Sequence, residues 1–262
     1  IRHVTQSFAN VINDEGVETA LKGIVICYDC RQNSREFARE AACVMAANGI
    51  PVRLFAQLRP TPELSFAVRE LNTIMGINIT ASHNPKEYNG YKAYGADGCQ
   101  LSGDASNLVT AAVEKVDMFG GIKSVDFDDA LASGIIEYIG DDCYEAYYKN
   151  VQAQSVVSDI VGKSGLKVIY TPLHGAGNKP VREILSRIGV SDVTVVKEQE
   201  QPDGNFPTVA FPNPEYPEVF ELGVKLANEV GSDLIIATDP DTDRVGVSTR
   251  RPDGSFTTIT GN

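Results

Sequence analysis

Short apolar runs alternate with amphipathic helical stretches along this chain, and the alternation runs twice. Strands linked by helices must lie parallel in a sheet, with helices on its faces, so this pattern constrains the fold most. In the first run, residues 23–28, 51–55 and 76–80 read as strands. A helix capped by Ser34 over 34–48 and one opening at Thr61-Pro62 connect them, Pro suiting a first helical turn. Residues 91–94 read as a fourth strand reached by a tight turn, before a helix capped by Asp104. A helix over 141–161 spaces the two runs. Strands at 166–170, 193–196, 234–238 and 245–249 then follow, with helices at 179–188 and 215–230 and a strand-like end at 255–259. We expect an α/β protein of two similar three-layer α/β/α domains, 1–154 and 155–262, with mixed, mostly parallel sheets. The chain opens at Ile1 inside a helical pattern (Val4, Phe8, Val11, Ile12) and stops at Gly261-Asn262 just after a strand. Both ends look cut, so a fragment of a longer protein is expected.

Twenty-three basic residues stand against 35 acidic ones, a net charge of −12. A field of that sign repels a nucleic-acid backbone, but not a small phosphorylated metabolite whose charge a local cation meets. No apolar run reaches the ~18 residues of a membrane span, and no signal-peptide pattern is read, so no membrane partner is expected. The five scattered cysteines, 27, 30, 43, 99 and 143, suit a reducing, cytoplasmic setting rather than a disulfide framework. Cys27 and Cys30 spell C-x-x-C, yet Cys27 ends a strand and Cys30 follows in the turn. A redox pair would want its second Cys soon inside a helix, and a zinc site would want a second pair.

Ligands in such sheets gather beyond the carboxyl ends of the strands. After residue 80 comes Ala81-Ser-His-Asn-Pro85. Pro85 forbids an immediate helix and holds Ser82 on an exposed turn. By spacing alone that turn is either a phosphate-accepting loop or a surface Asx-type turn. After residue 238 comes Asp239-Pro-Asp-Thr-Asp-Arg244. In an extended loop the three carboxylates share a side, and like charges that close call for a hard cation, Mg²⁺ first. An EF-hand fails, because its Gly and Glu positions hold Arg244 and Arg250. Asp241-Thr-Asp243 also fits a phosphotransferase with an aspartyl nucleophile, which would leave the Ser82 loop without a role. Gly162-Lys-Ser164 lacks the upstream Gly of a P-loop. His174-Gly-Ala-Gly177 can approach an anion or serve as a plain turn, and Asp203-Gly-Asn-Phe-Pro207 reads as a turn. Lys92 lies on the fourth strand, and the three His at 3, 83 and 174 form no metal-ligand pair.

Together these loops resemble the α-D-phosphohexomutase superfamily, which includes phosphoglucomutase and phosphomannomutase. Thr80-Ala-Ser-His-Asn-Pro85 is similar to its phosphoserine loop, Asn89-Gly-Tyr-Lys92 to the motif that follows, and Asp239–Arg244 to its metal loop. Thr171-Pro-Leu-His-Gly-Ala-Gly177 and Pro202-Asp-Gly-Asn-Phe-Pro207 resemble the bacterial phosphoglucomutase branch. The resemblance implies that Ser82 carries phosphate and that Asp239, Asp241 and Asp243, with a phosphoserine oxygen, hold Mg²⁺. It implies Arg244 beside the phosphate, and Lys92 and His83 assisting proton transfer or phosphate positioning. It implies interconversion of hexose 1- and 6-phosphates through glucose 1,6-bisphosphate, which also activates. Phosphomannomutase or phosphopentomutase activity, or a non-catalytic Mg²⁺- and sugar-phosphate-binding module, are the alternatives. The family has four domains; the chain resembles the first two and lacks the arginine loop expected before Ile1.

Overall fold

The computed structural model describes residues 1–157 and 160–260, and their side chains except those of residues 104–106 and 260. It contains two five-stranded sheets. The first holds β1 (Ile24–Tyr28), β2 (Val52–Leu54), β3 (Met75–Ile79), β4 (Tyr91–Gly95) and β5 (Ile136–Tyr138) in the order β4-β3-β1-β2-β5. The second holds β6 (Lys167–Thr171), β7 (Asp192–Val195), β8 (Leu234–Thr238), β9 (Val245–Arg250) and β10 (Phe256–Thr260) in the order β10-β9-β8-β6-β7. Helices α1 (Arg2–Asp14), α2 (Val17–Leu21), α3 (Ser34–Ala47), α4 (Thr61–Glu70), α5 (Gly103–Val113), α6 (Phe127–Ala132) and α7 (Asp141–Gln152) belong to the first run. Helices α8 (Ile160–Ser164), α9 (Asn178–Arg187), α10 (Lys197–Glu200) and α11 (Glu221–Val230) belong to the second.

Each sheet is buried on both faces. Along β1, Ile24 and Ile26 enter the cluster under α1, α3 and α6, while Val25 and Cys27 enter the one under α4 and α7. This two-residue alternation is how a central strand serves two cores, giving the expected three layers. Val168 and Ile169 of β6 divide in the same way between the cores under α9 and α11. The two sheets share a four-stranded arrangement, β4-β3-β1-β2 matching β9-β8-β6-β7, and differ in the fifth strand, parallel β5 beside β2 and antiparallel β10 beside β9. A strand bordered by a parallel and an antiparallel neighbour, β3 in one and β8 in the other, delivers the loop of interest.

Several expectations change. The helix expected over 141–161 stops at Gln152, and α8 is a separate short helix; residues 158 and 159 between them lie outside the described residues. The expected Asp104 cap also lies outside the described side chains. Ser34 does not cap α3: its hydroxyl donates to Asp29 Oδ1 at 2.9 Å, and left-handed Asn33 holds the cap position. The segment read as one helix over 215–230 begins as a 3₁₀ turn, Pro217–Phe220, before α11. All five cysteines are free, and the Cys27 thiol donates to the Arg59 carbonyl. No helix among the described residues is long and apolar enough to cross a membrane.

One buried acid in this fold gives a stability prediction. Glu63 on α4 is 2 % exposed, its carboxylate oxygens have no hydrogen-bond partner, and Arg59 stands 3.7 Å away. Burial pushes its pKa up to about 7, with Arg59 pulling it back only in part. The fold therefore prefers the neutral acid. Its stabilising contribution is complete below about pH 4.5 and is lost as pH rises towards 7. Glu63→Gln is expected to match the parent at pH 4.5 and to exceed it by about 1–3 kcal/mol at pH 8. Urea midpoints at the two pH values check this, and a glutamine variant weaker at pH 8 would show that the Arg59 charge pair dominates.

Candidate active site

The loop after β3 and the loop after β8 meet. Ser82 Oγ donates to Asp239 Oδ2 at 2.9 Å across 157 positions of sequence. Ser82 is therefore not on an exposed turn: it is 8 % exposed, because the second unit's carboxylate loop covers it. Its φ is +53°, a left-handed conformation that costs a non-glycine residue. Both flanks hold it there. Ser82 N donates to Thr80 Oγ1 at 2.8 Å, and Arg31 Nη2 donates to Ser82 O at 2.6 Å. Ser82 Oγ also lies 3.2 Å from His83 Nδ1.

The carboxylate loop is not extended. Thr242, at φ +59°, closes a turn in which its N donates to Asp239 O at 3.0 Å. That turn, rather than strand-like alternation, gathers one oxygen each of Asp239, Asp241 and Asp243 within 4.8 Å of one another. Lys92 Nζ stands 3.1 Å from Asp241 Oδ2 and 3.9 Å from Asp243 Oδ2. Arg244 gives its backbone N to Asp239 Oδ1 at 3.0 Å and its guanidinium to Glu215 at 3.1 Å.

Burial and the neighbouring carboxylates push Asp239 well above the usual carboxylate range. Asp243 is raised by burial and by the Asp241 charge. Burial also acts upward on Asp241, but hydrogen bonds from Asp239, Lys92 and Thr61 hold it below its ordinary value. One ammonium among three carboxylates leaves the cluster short of positive charge, and Asp241 Oδ1 is buried without a hydrogen-bond partner. An all-oxygen donor set with an unpartnered buried oxygen fits a hard divalent cation. Burial, with the positive charge of Arg244, keeps the His83 pKa below its usual value, which favours the neutral ring.

Three supporting groups carry no motif signal. Thr61, legible only as a helix start, donates its hydroxyl to Asp241 Oδ2 at 3.0 Å and its backbone N to Asp241 O at 2.8 Å. Asn78 Nδ2 donates to Thr61 Oγ1 at 2.7 Å and pairs with Lys92 across the β3–β4 ladder. Arg31 Nη1 donates to Pro85 O at 2.8 Å and Tyr88 O at 2.9 Å, and Nη2 also reaches Asn84 O at 2.5 Å, so the serine loop is wrapped around one guanidinium. The amides of His174, Gly175 and Ala176 are already used. His174 N goes to Gln199 O, Gly175 N to Pro172 O and Ala176 N to Pro240 O. A Cβ on Gly175 would come within 2.5 Å of Pro240 Cα, so this turn buttresses the carboxylate loop rather than cradling an anion.

Two α/β/α units that press a serine loop onto a three-carboxylate turn define a class by fold and site together. The profile described as phosphoglucomutase/phosphomannomutase, alpha/beta/alpha domain I, matches residues 1–119, and that of domain II matches residues 145–254. The chain belongs to the phosphoglucomutase/phosphomannomutase family. It is 41 % identical over its whole length to a Staphylococcus saprophyticus phosphoglucomutase, covering 46 % of that protein. It is 42 % identical over 91 % of its length to a Staphylococcus aureus phosphoglucomutase, covering 42 % of that one. Among solved structures it resembles a Thermus thermophilus protein described as a putative phosphomannomutase, with TM-score 0.77, 27 % identity, and coverage of 97 % of this chain and 53 % of the other. The chain thus spans less than half the length of the curated relatives it matches.

Proposed function

We propose that this chain supplies the phosphotransfer half of a phosphoglucomutase-type enzyme interconverting hexose 1-phosphate and hexose 6-phosphate, with the two units divided near 154/155. The observation that carries this reading is the 2.9 Å contact between Ser82 Oγ and Asp239, which joins a serine loop to a cation-ready cluster. Kinship with phosphoglucomutases over the whole chain supports the sugar class.

Ser82 holds the transferable phosphate. The P–Oγ bond breaks as a P–O bond forms to the free hydroxyl of a hexose monophosphate, giving the 1,6-bisphosphate. That sugar, turned over, returns its other phosphate to Ser82. Asp239, Asp241 and Asp243, with a phosphoserine oxygen, would hold Mg²⁺. Bound there, Mg²⁺ supplies positive charge to the phosphoryl oxygens, the chief need of this reaction class. Lys92, with Nζ 3.1 Å from Asp241 Oδ2, lies in the same cluster and assists proton transfer or phosphate positioning. His83, 3.2 Å from Ser82 Oγ, orients that oxygen, and as the P–Oγ bond breaks the proton released by the sugar hydroxyl ends on Ser82 Oγ. Arg244, whose guanidinium donates to Glu215, would stand beside the phosphate, and the compartment is the cytoplasm.

The test is to incubate the full-length protein with labelled glucose 1,6-bisphosphate and Mg²⁺, then map the label. Acid-stable phosphate on Ser82 is expected, with turnover of glucose 1-phosphate ahead of the mannose and ribose 1-phosphates. Acid-labile phosphate on Asp241 would replace this reading with aspartyl transfer. Mg²⁺ binding with no label and no turnover would leave a binding module.

A further inference from the structure

We propose that the turn at residues 203–207 is a positioning element for phosphotransfer, acting through Phe206 on Arg31; the proposal rests on the reading of Ser82 as the phosphate carrier. Phe206 belongs to the second unit, and Arg31 to the first. The Arg31 Cζ lies 5.1 Å from the centroid of the Phe206 ring. Its Nη atoms are spent on four carbonyls of the serine loop, at Ser82, Asn84, Pro85 and Tyr88. A guanidinium whose Nη groups are spent still offers its face, and an aromatic ring is the group that fits a cationic face.

The turn is built for this approach. Phe206 is buried at φ +47°, a backbone conformation bulky residues rarely adopt. A Cβ on Gly204 would come within 2.7 Å of Gln32 N, 2.8 Å of Cys30 O and 2.9 Å of Arg31 Cα, so glycine is what lets the turn touch the Arg31 backbone. At its other end the turn is tied to the second unit, with Asp203 N donating to His174 O at 3.1 Å. The His174 turn in turn carries Pro240 of the carboxylate loop, through Ala176 N to Pro240 O at 2.8 Å. A continuous set of contacts therefore runs from the carboxylate loop, through two turns and Phe206, to the guanidinium that shapes the Ser82 loop. The two halves of the site come from different units, and phosphotransfer is sensitive to displacements near an ångström. Phe206 sets their register.

The experiment compares Phe206→Leu and Phe206→Tyr with the parent full-length protein. The leucine variant keeps an apolar side chain but loses the ring face. Its kcat is expected to fall about 10–100-fold with KM for the sugar phosphate within about twofold. Amide exchange at residues 81–89 is expected to speed up about tenfold relative to the β1–β3 core, and the tyrosine variant to restore both readouts. Parent-like exchange at 81–89 in Phe206→Leu would overturn the proposal, and so would exchange that rises equally throughout the unit. Exchange needs no substrate. A parent protein that turns over no sugar phosphate would therefore sink the functional reading, while the exchange result still decides the role of Phe206.

Discussion

Ser82→Ala in the full-length protein is expected to lower hexose-phosphate turnover at least about 10⁴-fold and to leave the fold in place. The loss is large because the threonine hydroxyls bonded into the two loops are engaged elsewhere. Thr80 Oγ1 is engaged with Asp29 at 2.7 Å and with Ser82 N, and Thr61 Oγ1 lies between Asp241 and Asn78. The fold should survive because alanine meets the same strain as serine at φ +53°. The restraints on the loop, Arg31 on the carbonyls and Thr80 on the amide, do not involve Ser82 Oγ. The substitution removes one buried hydrogen bond to a carboxylate, about 1–3 kcal/mol. A coupled assay beside a thermal melt separates the two effects. Turnover above about one per cent of the parent in a folded Ser82→Ala protein would mean that the phosphate rides elsewhere.

Both loops were legible because each follows an apolar strand and each breaks the strand–helix rhythm with proline. The fourth strand reached by a tight turn was legible too, since 10 residues leave no room for a crossover helix, and β4 pairs antiparallel with β3 accordingly. Features that depend on distant contacts were not. Burial of Ser82 comes from a loop 157 positions away, and nothing local announces it. The edge strand β5 has three residues, of which only Ile136 is buried, too little for a periodic signal. Thr61 was readable as a helix start, yet its hydroxyl serves Asp241, 180 positions on. Arg31 follows Cys30 in what reads as a polar turn; a fully buried guanidinium has no pattern in sequence, because its partners are carbonyls, which every residue has. Asp203-Gly-Asn-Phe-Pro207 was correctly a turn, but its function lies in what the turn touches.

The second large effect is expected from Arg31→Met, which should destabilise the chain by about 3–5 kcal/mol. The Arg31 side chain is fully buried, with Asp29 Oδ2 3.4 Å from its Nε. Methionine matches much of its volume but supplies no donor. Three serine-loop carbonyls, at Ser82, Asn84 and Tyr88, lose their partner, while Pro85 O keeps the Tyr88 N–H, and Asp29 keeps only the Thr80, Ser34 and Arg31 backbone hydrogen bonds. Each buried acceptor left bare costs about 1–3 kcal/mol, and opening of the loop to water limits the total. Arg31→Lys should lose less but not nothing, because a point-like ammonium cannot fork to four carbonyls. The pH dependence identifies the source. Burial already pushes Asp29 up to about 6 against the hydrogen bonds and the Arg31 charge. Without that charge its pKa climbs further, and a raised carboxyl contributes stability that is present at low pH and lost as pH rises through the folded value. The deficit of Arg31→Met relative to the parent should therefore be smaller at pH 5 than at pH 8, as read from urea midpoints. A deficit that stays flat across that range would assign the cost to the bare carbonyls, and would make Arg31 a loop former first and a counter-charge to Asp29 only incidentally.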